Sequence, residues 1–288
     1  MTWLRFSKIF VCDFLKLEQM GRASLVNFGE GLAARVASGT GDKVLWVHGY
    51  TLDSSSWIEL WNLLPEWTHI GVDLPGHGAS LPLQPDENLP ALAKRIGRLA
   101  LRENVRHLVA LSFGTVVALQ VAIEFPTSFQ SVILGAPALG GGPQESEVAT
   151  RYQELVEMYR TRGFGPELRR RWMQSPPNIF KGAENRGELW DQLWKIVGRH
   201  PWWELADGSY AALSSHPQTK SQLSQIAAAT MVLVGDHEFP TFKRCAEIIR
   251  RSVPRCERIY LPGVGHLCML EDPARVHMIM EHHWHSLS

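Results

Sequence analysis

A serine at the junction of a predicted strand and a predicted helix carries the strongest chemical signal in the sequence. The β-prone run Val105–Leu111 ends directly at Ser112, and a helical pattern begins at Phe113 without a linker. A chain that turns from strand to helix within one residue strains the backbone there and pushes the side chain out of the sheet edge. Ala110 and Gly114 are the small neighbours that such a turn needs. The pattern predicts a nucleophilic serine, although Ser112 taken alone fits an ordinary helix cap equally well.

A histidine and an acid follow Ser112 in the chain order that this chemistry requires. A serine hydroxyl needs a base, and the base needs a carboxylate that fixes its tautomer. His266 comes shortly after the predicted strand Glu257–Leu261, and the acid is Glu238 or Asp236, which follow a predicted strand over 230–234. These positions favour His266 as the base, and both acids remain open at this point.

Two backbone amides are expected to bind the oxyanion that forms when a serine attacks an acyl carbon. One amide belongs to Phe113, directly after the nucleophile. The other belongs to Tyr50, in the loop after the predicted strand Lys43–His48. His48 is expected to shape this turn and to take no part in the chemistry.

The elements that must position these residues alternate between strand and helix. The segments 23–28 and 32–38 predict a hairpin around Gly29-Glu30-Gly31. Further strands are predicted over 68–73 and 129–134, and helices over 55–64, 88–102, 113–124, 243–253 and 273–283. This alternation predicts an α/β fold with a mostly parallel central sheet flanked by helices.

The alternation stops between Pro137 and Ser221, where the pattern is helical over 145–160, 166–173 and 188–197. A structureless loop of this length is not expected in a compact domain, so we predict an inserted helical lid. The predicted organisation is an N-terminal extension over 1–20, a core over 21–137 and 222–288, and a lid over 138–221.

Tryptophans in the predicted lid are candidate substrate-pocket residues, namely Trp172, Trp190, Trp194 and Trp202. They favour an apolar or aromatic small-molecule substrate. Trp190 and Trp194 lie one helical turn apart and fit a packing role as well.

Composition excludes several classes of function. Lysine plus arginine and aspartate plus glutamate number 29 each, so neither nucleic acid nor an anionic membrane is expected as a partner. The four cysteines show no disulfide or metal-ligand spacing, which favours a reducing cytoplasm. The histidines near the C-terminus (282, 283 and 285) lack the clustered carboxylates or cysteines of a metal site. Neither a signal peptide nor a membrane span is predicted, and the oligomeric state is left open.

Five motifs in order resemble the α/β-hydrolase superfamily, in its lid-bearing serine hydrolase branch: His48-Gly49-Tyr50, Asp73-Leu-Pro-Gly-His-Gly78, Ala110-x-Ser112-x-Gly114, Gly235-Asp-His-Glu238, and Gly263-Val-Gly-His266 followed by Glu271-Asp-Pro273. The resemblance implies an α/β-hydrolase fold and a catalytic triad without metal or organic cofactor. The family usually has an aspartate three residues after the glycine matched to Gly235. That offset favours Glu238 over Asp236 as the acid beside Ser112 and His266.

The resemblance therefore implies a serine hydrolase that cleaves an ester, thioester or lactone through an acyl-enzyme on Ser112, with carboxylic ester hydrolysis as the leading activity. One alternative is a C–C bond hydrolase or lyase similar to the meta-cleavage-product hydrolases or to SHCHC synthase. The stretch Trp172–Phe180 resembles that synthase, but Thr115 and Val116 stand where it has an arginine. A biosynthetic thioesterase or cyclase is a neighbouring alternative, and a non-catalytic ligand receptor is a third.

Overall fold

In the part of the chain that the structure describes, eight strands form one sheet. The computed structural model describes residues 23–144, 146–174 and 179–287, so the predicted extension over 1–20 lies outside the described residues. The strands are β1 Ser24–Gly29, β2 Leu32–Ala37, β3 Lys43–Val47, β4 Thr68–Val72, β5 Val105–Leu111, β6 Ser131–Gly135, β7 Ala229–Gly235 and β8 Cys256–Leu261. Their order in the sheet is β1-β2-β4-β3-β5-β6-β7-β8. The pairs β1–β2 and β2–β4 are antiparallel and the other neighbours are parallel, which confirms the predicted α/β class.

Alternate residues of the central strands face two separate hydrophobic clusters, because side chains in a strand point to opposite faces in turn. Leu108 and Ala110 of β5 belong to one cluster, and Val109 and Leu111 belong to the other. Both faces are covered by helices, so these strands are continuous apolar runs in the sequence. The core helices are Ile58–Asn62, Leu89–Arg102, Phe113–Glu124, Pro240–Ser252, Cys268–Glu271 and Pro273–His285.

Two of the predicted helices differ most from the observed ones. The predicted helix 55–64 is a 3₁₀ turn, Ser54–Trp57, followed by the short helix Ile58–Asn62. Asp53 caps this turn by accepting a hydrogen bond from the Ser55 amide. The predicted helix 243–253 begins earlier, at Pro240, because proline suits the first turn of a helix.

A helical insertion separates β6 from β7. In its described residues it contains seven helices, Ser146–Arg162, Pro166–Gln174, Lys181–Glu184, Gly187–Arg199, Glu204–Asp207, Ser209–Ser215 and Lys220–Leu223. Leu155, Leu168 and Leu193 of the insertion join the same buried cluster as Val109 and Leu111 of the sheet. Its last two helices instead contribute Leu213 and Leu223 to the cluster of Leu108 and Ala110, so the insertion packs against both clusters. Within the described ranges, no helix is long and apolar enough to cross a membrane.

Parallel strands end at the same edge of the sheet, and the residues predicted to take part in catalysis lie at that edge. The residues after β3, β5, β7 and β8 include Tyr50, Ser112, Glu238 and His266. These side chains are far apart in sequence, and the register of the strands brings them to one place.

Candidate active site

Ser112 has the strained backbone that its position between β5 and the following helix predicts. Its φ is 53° and its ψ is −125°, a conformation in which a non-glycine residue is rare. The helix starts so close to β3 that a Cβ on Gly114 would lie 2.4 Å from the His48 carbonyl oxygen. This close approach explains why a glycine follows the serine by two residues, while the buried Ala110 side chain still fits on the strand side.

The structure brings Ser112, His266 and Glu238 into one hydrogen-bonded chain. His266 Nε2 lies 2.8 Å from Ser112 Oγ. His266 Nδ1 lies 2.9 and 3.0 Å from the two carboxylate oxygens of Glu238. The imidazole and the carboxylate are both buried, which strengthens the interaction between them.

Asp236, the alternative acid, points elsewhere. Its Oδ1 accepts the Gly263 amide at 2.9 Å, and that hydrogen bond holds the pKa of the carboxyl below its usual value. It therefore ties the loop after β7 to the loop after β8, at the protein surface. Of the two acids, the structure places Glu238 at hydrogen-bond distance from His266.

A second buried carboxylate, Glu271, holds the loop that carries His266. Its two oxygens accept the amides of Gly265 at 2.7 Å and Leu267 at 3.0 Å, on either side of the histidine. Burial raises the pKa of this carboxyl. Gly182 of the insertion lies against it, since a Cβ there would come within 1.9 Å of Glu271 Oε2.

Tyr50 and Phe113, the two residues whose amides were expected to bind an oxyanion, line the same cavity as Ser112. Gly49 packs against the serine, because a Cβ on it would lie 3.3 Å from Ser112 Cβ. His48 holds the turn through both ring nitrogens, with Nε2 accepting the Leu74 amide at 2.9 Å and Nδ1 2.8 Å from the Gly49 oxygen. Burial lowers the pKa of His48, which favours its neutral form.

A cavity of about 410 Å³ lies above Ser112, between the sheet edge and the helical insertion. Its apolar lining includes Leu52, Val116, Val148, Ile179, Phe180 and Phe242. Among the described residues, no lysine, arginine, aspartate or glutamate lines it. The hydroxyls of Ser214 and Ser215, which also line the cavity, donate to carbonyls of their own helix. The cavity is therefore suited to an uncharged, apolar group.

Of the four tryptophans expected to line a substrate pocket, the structure places Trp172 in this lining. Trp190 and Trp194 lie outside it and stack on each other, with ring centroids 6.0 Å apart. Their helix buries its leucines, which leaves the two tryptophans on a less buried face. Trp202 also lies outside the lining and is buried against Tyr50, with ring centroids 6.3 Å apart. Trp190, Trp194 and Trp202 were expected to line the substrate pocket, and the structure places them outside the lining of this cavity.

Two buried acids near the site, Glu271 and Glu204, have contacts that were not predicted from the sequence. Glu271 belongs to the Glu-Asp-Pro motif after His266, so a signal for it was present. Glu204 contacts Tyr50 across 154 positions of sequence, and no local pattern marks it.

The sequence and the fold of this chain are similar to those of known proteins. The chain is 29% identical over 241 residues to 2-succinyl-6-hydroxy-2,4-cyclohexadiene-1-carboxylate synthase of Serratia proteamaculans, covering 80% of this chain and 88% of that protein. It is 23% identical to monoacylglycerol lipase abhd6-A of Xenopus laevis, covering 91% of this chain and 81% of the lipase. The structure of MenH from S. aureus superimposes with a TM-score of 0.76 at 18% identity, covering 88% of this chain and 98% of that one.

The family model for the alpha/beta hydrolase family matches residues 44–278. The match includes β3 to β8, the helical insertion, and the residues gathered around Ser112. The chain belongs to the alpha/beta hydrolase family.

Proposed function

We propose that this protein is a serine hydrolase that cleaves uncharged esters of apolar acyl groups through an acyl-enzyme on Ser112. The contact of 2.8 Å between Ser112 Oγ and His266 Nε2, at the floor of an apolar cavity, carries the proposal. Glu238 orients the histidine, and the amides of Tyr50 and Phe113 form the oxyanion hole. The helical insertion acts as a lid over this site.

Acylation begins when the Ser112 hydroxyl attacks the acyl carbon and gives its proton to His266 Nε2. The carbonyl oxygen becomes an oxyanion, which accepts hydrogen bonds from the two amides. His266 then returns the proton to the leaving alcohol, and an ester remains on Ser112. Glu238 accepts the Nδ1–H of His266 throughout, which stabilises the imidazolium that forms.

Deacylation repeats these steps with water as the nucleophile. His266 Nε2 takes a proton from the water, whose oxygen attacks the acyl carbon held by Tyr50 and Phe113. The acid leaves as the proton returns to Ser112 Oγ. The balance is one ester and one water converted into one acid and one alcohol.

The lining of the cavity supports an uncharged acyl group. A charged group in a site of low polarity needs a partner of opposite charge. Most residues of the described lining are apolar, and apart from His266 its polar side chains, such as Gln144, Gln153 and Thr241, are uncharged amides and hydroxyls. The relative named monoacylglycerol lipase acts, by its name, on a neutral ester.

Cleavage of a C–C bond is the second candidate, and the relative from Serratia favours it. That relative's name describes a product with a succinyl group and a ring carboxylate. Two carboxylates require cationic groups that the described lining does not contain. We therefore place ester hydrolysis first, with thioester and lactone cleavage as neighbouring reactions of the same acyl-enzyme.

Two p-nitrophenyl esters of similar size test the proposal: the butyrate, which is neutral, and the hemisuccinate, which ends in a carboxylate. We expect the butyrate and longer neutral esters to be hydrolysed faster than the hemisuccinate. A fluorophosphonate probe should label Ser112 in the folded protein, and Ser112→Ala should lose both label and turnover.

Three results would contradict the proposal. They are an unlabelled Ser112 in folded protein, wild-type turnover by Ser112→Ala, and preference for the hemisuccinate. Faster cleavage of a vinylogous diketone than of any ester would instead favour the C–C bond candidate.

A further inference from the structure

The side chain of Tyr50 is enclosed by aromatic groups at the junction between the sheet edge and the insertion. The rings of Trp172 and His200, both from the insertion, pack edge-on against it, with centroids 5.4 and 5.9 Å from the Tyr50 ring centroid. His77 contacts the ring at 6.0 Å from the core side. The ring of Tyr50 is therefore fixed from both sides, while its backbone amide belongs to the oxyanion hole proposed above.

The hydroxyl of Tyr50 donates to Glu204 Oε1 at 2.5 Å. The same oxygen lies 3.0 Å from His200 Nε2, and the carboxylate is buried. Glu204 Oε2 is also buried and has no hydrogen-bond partner among the described residues. Burying a carboxylate with one oxygen that has no partner among the described residues costs free energy, which points to a role for Glu204 beyond packing. Burial and the nearby Glu204 raise the pKa of Tyr50, which keeps its hydroxyl protonated as a donor.

The peptide that follows Tyr50 is held equally firmly. Thr51 has a φ of 63°, and its amide donates to His77 Nε2 at 3.2 Å. Its hydroxyl donates to the Tyr50 carbonyl at 2.7 Å and accepts the Trp172 indole N–H at 2.8 Å. The insertion therefore forms hydrogen bonds to the turn at two points, the Tyr50 hydroxyl and the Thr51 hydroxyl.

We propose that Glu204 is a positioning residue for the oxyanion hole, acting through the Tyr50 hydroxyl to aim the Tyr50 amide at the reacting carbonyl. The insertion then does more than cover the cavity, because one of its carboxylates sets the geometry of the catalytic turn. This inference rests on the proposed function. It predicts a defect in the chemical steps and not in ester binding, since the oxyanion develops in the transition states and tetrahedral intermediates and is absent from the bound ester.

Turnover of a neutral ester by Glu204→Leu, Glu204→Gln and Tyr50→Phe tests the inference, with kcat expressed per serine titrated by the fluorophosphonate. We expect Glu204→Leu and Tyr50→Phe each to lower kcat by about 10- to 100-fold with KM nearly unchanged. Glu204→Gln keeps an oxygen that accepts from Tyr50, so it should restore most of the activity. The double variant Tyr50→Phe/Glu204→Leu should be no worse than either single variant, because both remove the same hydrogen bond.

Inhibition by an alkyl boronic acid provides a readout that a purely structural role would not move. The boronate forms a tetrahedral adduct with the serine and occupies the oxyanion hole, whereas an alkanol of the same length fills only the apolar cavity. Boronate affinity should fall in Glu204→Leu in parallel with kcat/KM, and alkanol affinity should not. Glu157→Leu, which replaces an exposed acid of the insertion, is the matched control.

The outcomes separate the two proposals. Wild-type protein that neither labels nor turns over esters refutes the proposed function itself. An active wild type whose Glu204→Leu and Tyr50→Phe variants keep their kcat, or change only KM, refutes the role of Glu204. Equal losses of boronate and alkanol affinity would also overturn it.

Discussion

Ser112 stores backbone strain, and its neighbours supply the contacts that keep it there. Conformations of this kind cost about 1 to 3 kcal/mol and persist only where the surrounding structure enforces them. The Ser112 amide donates to the Gly135 carbonyl of β6 at 2.9 Å, and its carbonyl accepts the Thr115 amide. The strained residue is thus fixed on both sides, and its hydroxyl is presented to His266.

The assignment of the acid gives a prediction for single residues. In the proposed mechanism, Glu238→Gln removes the charge that stabilises the imidazolium and leaves a side chain of the same shape. We expect kcat for a neutral ester to fall by about 10³- to 10⁴-fold, the size of effect seen when a triad carboxylate becomes an amide.

Asp236→Asn is the matched control for that substitution. Its side chain bonds the Gly263 amide through one oxygen, which the amide side chain retains. We expect kcat to stay close to the wild-type value. A larger loss in Asp236→Asn than in Glu238→Gln would reverse the assignment of the acid.

The element that presents the serine depends on a near-contact between a helix and a strand. A Cβ on Gly114 would lie 2.4 and 2.5 Å from the carbonyl oxygens of His48 and Val47, which are backbone atoms that cannot move aside. We expect Gly114→Ala to destabilise the fold by about 3 kcal/mol or more, measured by urea unfolding.

Gly187→Ala is the corresponding control in the insertion. Gly187 begins its helix, and an added Cβ there meets no atom within 4 Å. We expect no loss of stability, because alanine is the better helix former. Equal stability of the Gly114 and Gly187 variants would mean that the close approach of Gly114 to the end of β3 is not needed.

A bidentate ion pair joins the insertion to the turn after β3. Arg199 Nε and Nη2 lie 2.7 and 2.9 Å from the carboxylate oxygens of Asp53, which is itself buried. Arg199→Met should leave that carboxylate without its cation and cost about 1 to 3 kcal/mol. Limited proteolysis should then cut the insertion faster than in wild type.

Arg162→Met tests whether any ion pair of the insertion would have the same effect. Arg162 pairs with Glu167, and both side chains are largely exposed. Exposed pairs contribute little, so we expect its cleavage rate to match the wild type. Faster cleavage in Arg162→Met than in Arg199→Met would contradict the role given to the Asp53 contact.

At the scale of the whole molecule, buried neutral histidines predict a loss of stability in acid. His69 donates from Nε2 to the Leu64 carbonyl, accepts the Trp46 indole N–H at Nδ1, and stacks on Trp61. Burial lowers the pKa of His69 to about 4. The unfolded chain takes up a proton as pH falls below about 6.5, while the folded chain does not until about pH 4. Stability should therefore decrease with falling pH across that window.

The size of this effect is about 1.4 kcal/mol per pH unit for each such histidine. We expect the free energy of unfolding in urea to decrease less between pH 7 and about pH 4.5 in His69→Gln than in wild type. His282→Gln, which changes an exposed histidine, should keep the full wild-type decrease. An identical pH profile in wild type and His69→Gln would contradict the assignment.

The sequence by itself determined the fold class and the order of the motifs. Strand and helix periodicities are local, so β5 and the helix Phe113–Glu124 were predicted with the bounds that the structure has. Strain at Ser112 followed from the absence of a linker, which is also a local property. The parallel register then placed the ends of β3, β5, β7 and β8 at one edge.

Only the tertiary structure decided which side chains meet at that edge. The offset of Glu238 favoured it, but its distance from His266 depends on how two loops fold over the sheet. Helix amphipathicity could not tell which tryptophan of the insertion lines the cavity, because a buried helix face can pack against either the cavity wall or a neighbouring helix. Glu204 reaches Tyr50 across 154 positions, and such a contact leaves no periodic trace in the sequence. Periodicity reports the burial of a face, whereas the partners across it are set by packing.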